Sequence, residues 1–96
     1  MTKRVKIKTP PGVCMVAFEC DEAIWLEIID VKKELQGHGL GSQSLRLLQT
    51  YAAAVRKPVL LTPVPRTDKD GPALKRFYER AGFKLLPDGD MEWSTR

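Results

Sequence analysis

Three glycines alternate within five residues, in Gln36-Gly37-His38-Gly39-Leu40-Gly41-Ser42, at the point where the hydrophobic pattern changes period. Glycine accepts positive φ and lets the backbone approach a ligand with no Cβ in between. Upstream, Ala23–Val31 is rich in isoleucine, tryptophan and valine and reads as a strand. Downstream, Leu40, Leu47, Leu48, Tyr51, Ala52 and Val55 recur at helical spacing. This predicts a helix from about Gly41 to about Arg56 that stops before Pro58. A strand that hands over to a helix through such a turn constrains the fold more than any other segment.

The remaining elements arrange themselves around that handover. Lys3–Lys8 alternates, with Val5 and Ile7 on one face and Arg4, Lys6 and Lys8 on the other, as an edge strand does. Pro10-Pro11-Gly12 is a turn, Val13–Glu19 a more buried strand, and Asp21-Glu22 a second reversal before Ala23–Val31. Short connections imply an antiparallel meander of three strands. Pro58–Val64 is short and continuously apolar, as expected of a strand buried on both faces, and a crossover would make it parallel to the third strand. After a polar loop at Pro65–Gly71, Leu74, Phe77, Tyr78 and Ala81 mark a second helix that Gly82 ends. Phe83–Leu86 and Met91–Ser94 flank a Pro87-Asp88-Gly89-Asp90 hairpin signal. The expected order is β-β-β-α-β-α-β-β in one mixed α+β domain spanning residues 1–96.

Composition narrows the partners without choosing one. At 43% hydrophobic and 29% charged, the 96 residues suit a globular chain. No run approaches the roughly 18 apolar residues of a membrane span, and no apolar segment follows the basic start, so a cytoplasmic location is predicted. Cys14 and Cys20 are read as reduced structural thiols, since they are too far apart along one strand to bridge. Two cysteines and one histidine do not make a zinc site, so no metal is expected. The net charge of +4 attracts anions. Its spread along the chain disfavours nucleic acid.

The unpaired N–H groups of a first helical turn, with the helix dipole behind them, suit a pyrophosphate. A Walker sequence is absent, as is Gly-x-Gly-x-x-Gly, and no acid ends the next strand to hold a ribose. The familiar nucleotide folds therefore do not fit.

Gln36-x-x-Gly39-x-Gly41 resembles the Gln/Arg-x-x-Gly-x-Gly/Ala signature of the GCN5-related N-acetyltransferase (GNAT) superfamily. Ile28-Ile29-Asp30-Val31 resembles that family's central strand, and Leu74–Phe83, with its Phe77-Tyr78 pair and Gly82-Phe83, resembles its second hallmark. The likeness covers about Ala23 to the C-terminus. It implies a central strand splayed from its parallel neighbour, and acetyl-coenzyme A as the acyl donor to an amine.

By the same resemblance, the main chain of Ile29, Asp30 and Val31 would pair with the pantetheine arm. Backbone N–H groups of Gly37, His38, Gly39, Leu40, Gly41 and Ser42 would hold the pyrophosphate, with Gln36 shaping the turn. His38 itself is read as a solvated loop residue. Tyr78 would protonate the departing thiolate, a plausible match of acidities for a phenol of pKa about 10. Two positions depart from the family. Gly71 stands where many members carry asparagine, leaving Asp68 or Asp70 as polar substitutes. The usual fifth-strand glutamate falls near Pro63, leaving Glu27, Asp30 and Glu34 as candidate bases. Lys75, Arg76 and Arg80 are candidates for the ribose phosphate.

Members of the family usually place two helices between the first two strands, where Pro10-Pro11-Gly12 stands here. The acceptor side should then be open. That implies a large acceptor such as a protein, a second subunit in a homodimer completing the site, or lost catalysis. The competing readings are an N-acetyltransferase, a non-catalytic coenzyme A-binding or protein-interaction domain on the same fold, and a small basic nucleic-acid-binding module.

Overall fold

The computed structural model describes residues 2–63 and 70–94. Its elements follow the predicted order: β1 (Lys3–Arg4), β2 (Val13–Glu19), β3 (Ile24–Val31), a 3-10 turn (Lys33–Leu35), α1 (Leu40–Val55), β4 (Val59–Leu61), α2 (Asp70–Arg80), β5 (Lys84–Leu85) and β6 (Met91–Trp93). One mixed sheet runs β1-β2-β3-β4-β6-β5, with β3 and β4 its parallel pair. Among the described residues no helix is long and apolar enough to cross a membrane.

The first and fourth strands are much shorter than the sequence predicts. The first keeps ladder geometry only over Lys3–Arg4, although the Val5 N–H still donates to the Ala17 carbonyl at 2.9 Å. Beyond it Pro10 and Pro11 offer no N–H, and the Thr9 hydroxyl donates to the Val13 carbonyl at 3.1 Å, drawing the chain into a turn. The fourth strand stops at Leu61, and Val64 lies outside the described residues. Pro63 cannot donate to a ladder, and the Thr62 hydroxyl donates to Asp90 Oδ1 at 2.7 Å.

Both helices pack on one face of the sheet. Their shared core comprises Ala17, Ile24, Leu26, Val59, Leu61 and Met91 from the strands, Leu45, Leu48 and Ala52 from α1, and Tyr78 from α2. Leu45, Leu48 and Ala52 are spaced i, i+3, i+7, one stripe of a helix. Leu47, read from the sequence as part of that stripe, is 38% exposed, and Leu45 takes the inward position. The Gln49 side-chain amide joins the two helices by donating to the Ala81 carbonyl at 2.7 Å.

At the far end of the sheet, Glu19 is the buried carboxylate that ties α1 to β2. Lys57 Nζ donates to its Oε2 at 2.6 Å and to the Cys20 carbonyl at 2.8 Å, and the Tyr51 hydroxyl donates to its Oε1. Lys57, then Tyr51, hold the Glu19 pKa below the ordinary carboxylate value. A depressed folded-state pKa contributes stability above the unfolded pKa and loses it as pH falls through the folded value. Glu19→Gln should therefore lower Tm at pH 7. The gap to the parent should close as pH is lowered through the carboxylate range, as thermal melts at stepped pH will show.

Candidate coenzyme site

The site is built on one irregularity of β3. The register steps from Val16↔Ile28 to Ala17↔Leu26, leaving Glu27 as the extra residue of a bulge. The bulge changes the phase of the strand. Ile24 and Leu26 belong to the core before it, and Ile29 packs against that core after it. β4 accompanies β3 only over Ile24–Leu26, so the edge of β3 from Glu27 to Val31 has no strand beside it. A gap of about 880 Å³ opens there, lined by Leu26–Val31, by residues of the glycine turn, by Leu61 and Thr62, and by Leu74, Phe77 and Tyr78 of α2.

The glycine turn closes one end of the gap. The Leu35 N–H donates to the Lys32 carbonyl at 2.8 Å, forming the 3-10 turn. Gln36 Nε2 then reaches back to the Val31 carbonyl at 3.1 Å and pins the turn to the end of β3. Gly12 has a second reason to be glycine besides its φ of 88°: a Cβ there would lie 2.3 Å from Leu35 Cδ1. The β1–β2 turn thus seats the turn that shapes the site.

Gly39 is the N-cap of α1, with φ 77°, and the first helical bond runs from the Gln43 N–H to the Gly39 carbonyl at 2.9 Å. The N–H groups of Leu40, Gly41 and Ser42 come before that bond, no side chain caps them, and the first turn carries no acid. A 16-residue helix therefore presents its positive end bare to the gap. The glycines differ in what they do. Gly37 (φ 86°) and Gly39 have open space around them and are required by conformation. Gly41 is helical, and a Cβ on it would lie 3.4 Å from Phe77 and 3.5 Å from Val31. Its smallness lets the helix sit against the floor of the gap.

Tyr78 is buried within the core and still lines the gap. Its ring meets Phe77 edge-on at 5.2 Å and Phe83 at 5.6 Å. Burial pushes its pKa above the ordinary phenol value, so it stays protonated and is suited to act as an acid. Ile29, Asp30, Val31, Gln36, Gly37, Gly39, Leu40, Gly41, Ser42 and Tyr78 all line one gap, and His38 is exposed and lies outside its lining. Of the candidate bases, Glu27 and Asp30 line it and Glu34 does not. Asp68 lies outside the described residues. Leu35, Thr62 and Ala73 also line the gap without having been singled out from the sequence. Among the described residues, no cluster of histidine, cysteine and acids could hold a metal ion.

A second groove of about 530 Å³ lies between the helices, bordered by Ser42, Arg46, Gln49, Arg76, Phe77 and Arg80. Ser42 belongs to both cavities, so the arginines adjoin the bare helix end.

A splayed parallel pair, a bulge in the splayed strand and an uncapped helix facing the gap define a fold with an anion-binding helix end beside an open strand edge. The sequence profile of the acetyltransferase (GNAT) domain family matches residues 4–85. The chain therefore belongs to the GNAT acetyltransferase family, whose acyl donor is acetyl-coenzyme A. No curated protein matches it. Among solved structures, it is similar to the anti-CRISPR protein AcrVA5, at 22% identity and a TM-score of 0.78, covering 97% of this chain and 98% of the other. An acetyltransferase from Bacillus cereus aligns at 15% identity and a TM-score of 0.69, covering 95% and 69%. A mutant of the toxin AtaT, bound to the C-terminus of the antitoxin AtaR and to acetyl-coenzyme A, aligns at 18% and 0.55, covering 86% and 56%. These likenesses speak for the fold.

The glycine assignments make a paired prediction. Gly39→Ala forces a side chain into left-handed φ and should cost about 1–2 kcal/mol. Gly41→Ala gains about 1 kcal/mol of helix propensity against a slight squeeze on Phe77, so it should be near neutral or stabilising. Denaturant melts of the two variants should move in different directions.

Proposed function

We propose that the chain transfers the acetyl group of acetyl-coenzyme A to an amine by direct attack. The observation that carries this reading is the uncapped N–H cluster of Leu40, Gly41 and Ser42 at one end of a gap whose wall is an edge of β3 that β4 does not accompany. An extended polar chain ending in a pyrophosphate fits such a gap: β-like pairing along Ile29–Val31, charge at the helix end. Arg46, Arg76 and Arg80 would take the ribose phosphate in the adjoining groove. The AtaT complex with acetyl-coenzyme A supports the donor.

The bound donor supplies an activated thioester carbonyl. Main-chain N–H groups near Val31 polarise it. The amine nitrogen attacks the carbonyl carbon, the C–S bond breaks, and Tyr78 gives its proton to the leaving thiolate. Glu27, exposed at the bulge and lining the gap, takes the proton that the nitrogen must lose. A bulge is a device that re-aims a side chain out of the ladder, which sets Glu27 apart from Asp30.

A second reading is a non-catalytic coenzyme-binding domain, favoured by the absence of any described element over the acceptor side of β3. Calorimetry tests what the two readings share, and turnover of an amine tests what divides them. Calorimetry should show acetyl-coenzyme A and coenzyme A binding while ATP and NAD do not. If neither coenzyme binds at millimolar concentration, both readings fail. Tyr78→Phe should lower kcat by about a hundredfold or more while leaving coenzyme Kd within twofold. Unchanged turnover would remove Tyr78 from the chemistry.

A further inference from the structure

The face of the sheet away from the helices carries an apolar row that lies outside the core. One register row crosses all six strands: Arg4↔Phe18, Phe18↔Trp25, Trp25↔Leu60, Leu60↔Glu92 and Glu92↔Lys84. The next pair along β2 and β3 is Val16↔Ile28. Alternation puts these side chains opposite Ala17, Leu26, Val59 and Met91, which are core residues. Phe18, Trp25, Leu60, Val16 and Ile28 neither belong to the core nor pack against it. Ile28 is 50% exposed, and the other four are half-buried. Five large apolar side chains on one sheet face form a patch of the kind that marks an interaction surface.

We infer that this face docks a folded protein acceptor and delivers one of its amines, a lysine side chain or the N-terminus, to the thioester. The inference rests on the acetyl-transfer reading above and adds its substrate class. Position carries the first part of the argument. Ile28 belongs both to the bare patch and to the lining of the gap, so the patch runs without interruption into the place where the nucleophile must arrive. The helices and the glycine turn occupy the opposite side, leaving the bare face as the open approach.

Shape carries the second part. Small-molecule sites are concave and bury most of their ligand. A sheet face with no described helix over it gives a small amine one wall. It gives a protein a central cluster of aromatic anchors, Phe18 and Trp25, with charges at the rim. Charge supplies the third part. Glu92 stands opposite Lys84 at one end of the row, whereas Arg4 flanks Phe18 at the other with exposed Lys6 close behind, on a chain of net charge +4. An acidic surface beside the reacting amine complements that end. A second copy seated on the patch would close the approach that transfer requires.

The test measures label transfer from radiolabelled acetyl-coenzyme A to α-lactalbumin (acidic), lysozyme (basic), spermidine, kanamycin and a blocked lysine, at matched amine concentration. Lysine acetylation of α-lactalbumin should be fastest. Trp25→Thr, which keeps a strand-forming residue, should slow it by about tenfold, as loss of an interface anchor does. Arg4→Glu, at an exposed rim position, should slow it and flatten its salt dependence even if the Trp25 variant fails to fold. Neither variant should change coenzyme Kd or the rate on small amines. A small amine as the best acceptor, variants indistinguishable from the parent, or a dimer in sedimentation that Trp25→Thr dissolves would each overturn the inference. Coenzyme binding without any protein acetylation overturns this inference alone. Failure to bind coenzyme removes the underlying reading as well.

Discussion

The site depends on how little of β3 is paired with β4. Three residues of parallel ladder hold the two strands together, and then Pro63 and the Thr62–Asp90 bond end β4 while β3 continues for five more. A longer ladder would add backbone hydrogen bonds worth about 1 kcal/mol each and would close the gap. The chain leaves that stabilisation unused and keeps main-chain groups available along one edge. Strand edges normally invite unwanted pairing. Here the edge lies inside a cleft whose other wall is α2, so only a narrow, extended partner can reach it.

Everything near the gap fixes the geometry of that edge. The bulge at Glu27 rotates the strand so that Ile29 packs inward beyond it, continuing the core past the end of β4. Gln36 pins the turn to the Val31 carbonyl, and Leu35 fills the space that Gly12 leaves. α1 then starts with its dipole aimed into the cleft and no acid in its own first turn to neutralise it. Its body is held far from that end, where Tyr51 and Lys57 meet Glu19. The helix is anchored at its C-terminal end and left open at its N-terminal one, a division suited to binding an anion without loosening the fold.

Much of this was legible in the residues. The alternating glycines, the helical spacing after them and the Phe77-Tyr78…Gly82-Phe83 run give the element order and the parallel pair, and the residues singled out for the pantetheine arm and the pyrophosphate, His38 apart, border one gap. What escaped is instructive in physical terms. Leu47 and Leu45 differ by about 200° around a helix, and apolar identity alone does not say which of them turns inward. The early end of β4 was written in Pro63, which was read as a missing base rather than as a ladder stop. The bulge was also written, in the change of phase between Ile24/Leu26 and Ile29. An apolar doublet, Ile28-Ile29, masks that step because both faces look hydrophobic. Leu35, Thr62 and Ala73 reach the gap through tertiary placement, for which the local sequence carries no signal.

The bare face follows from the same economy. With both helices on one side, the core needs only one set of alternate strand residues, and the other set is free to be polar. At Phe18, Trp25 and Leu60 it is not. Full burial of such side chains is worth about 1.5–3 kcal/mol apiece, so a fold selected only for its own stability and solubility gains little by leaving three of them together in the central row. Cross-strand packing explains why they are partly sheltered and suit a sheet. It does not explain why the row is apolar at its centre and charged only at its ends, Arg4 on one side and Glu92 with Lys84 on the other. That arrangement, an apolar centre with a charged rim running into the cleft at Ile28, has the anatomy of an interface whose other half is a different molecule.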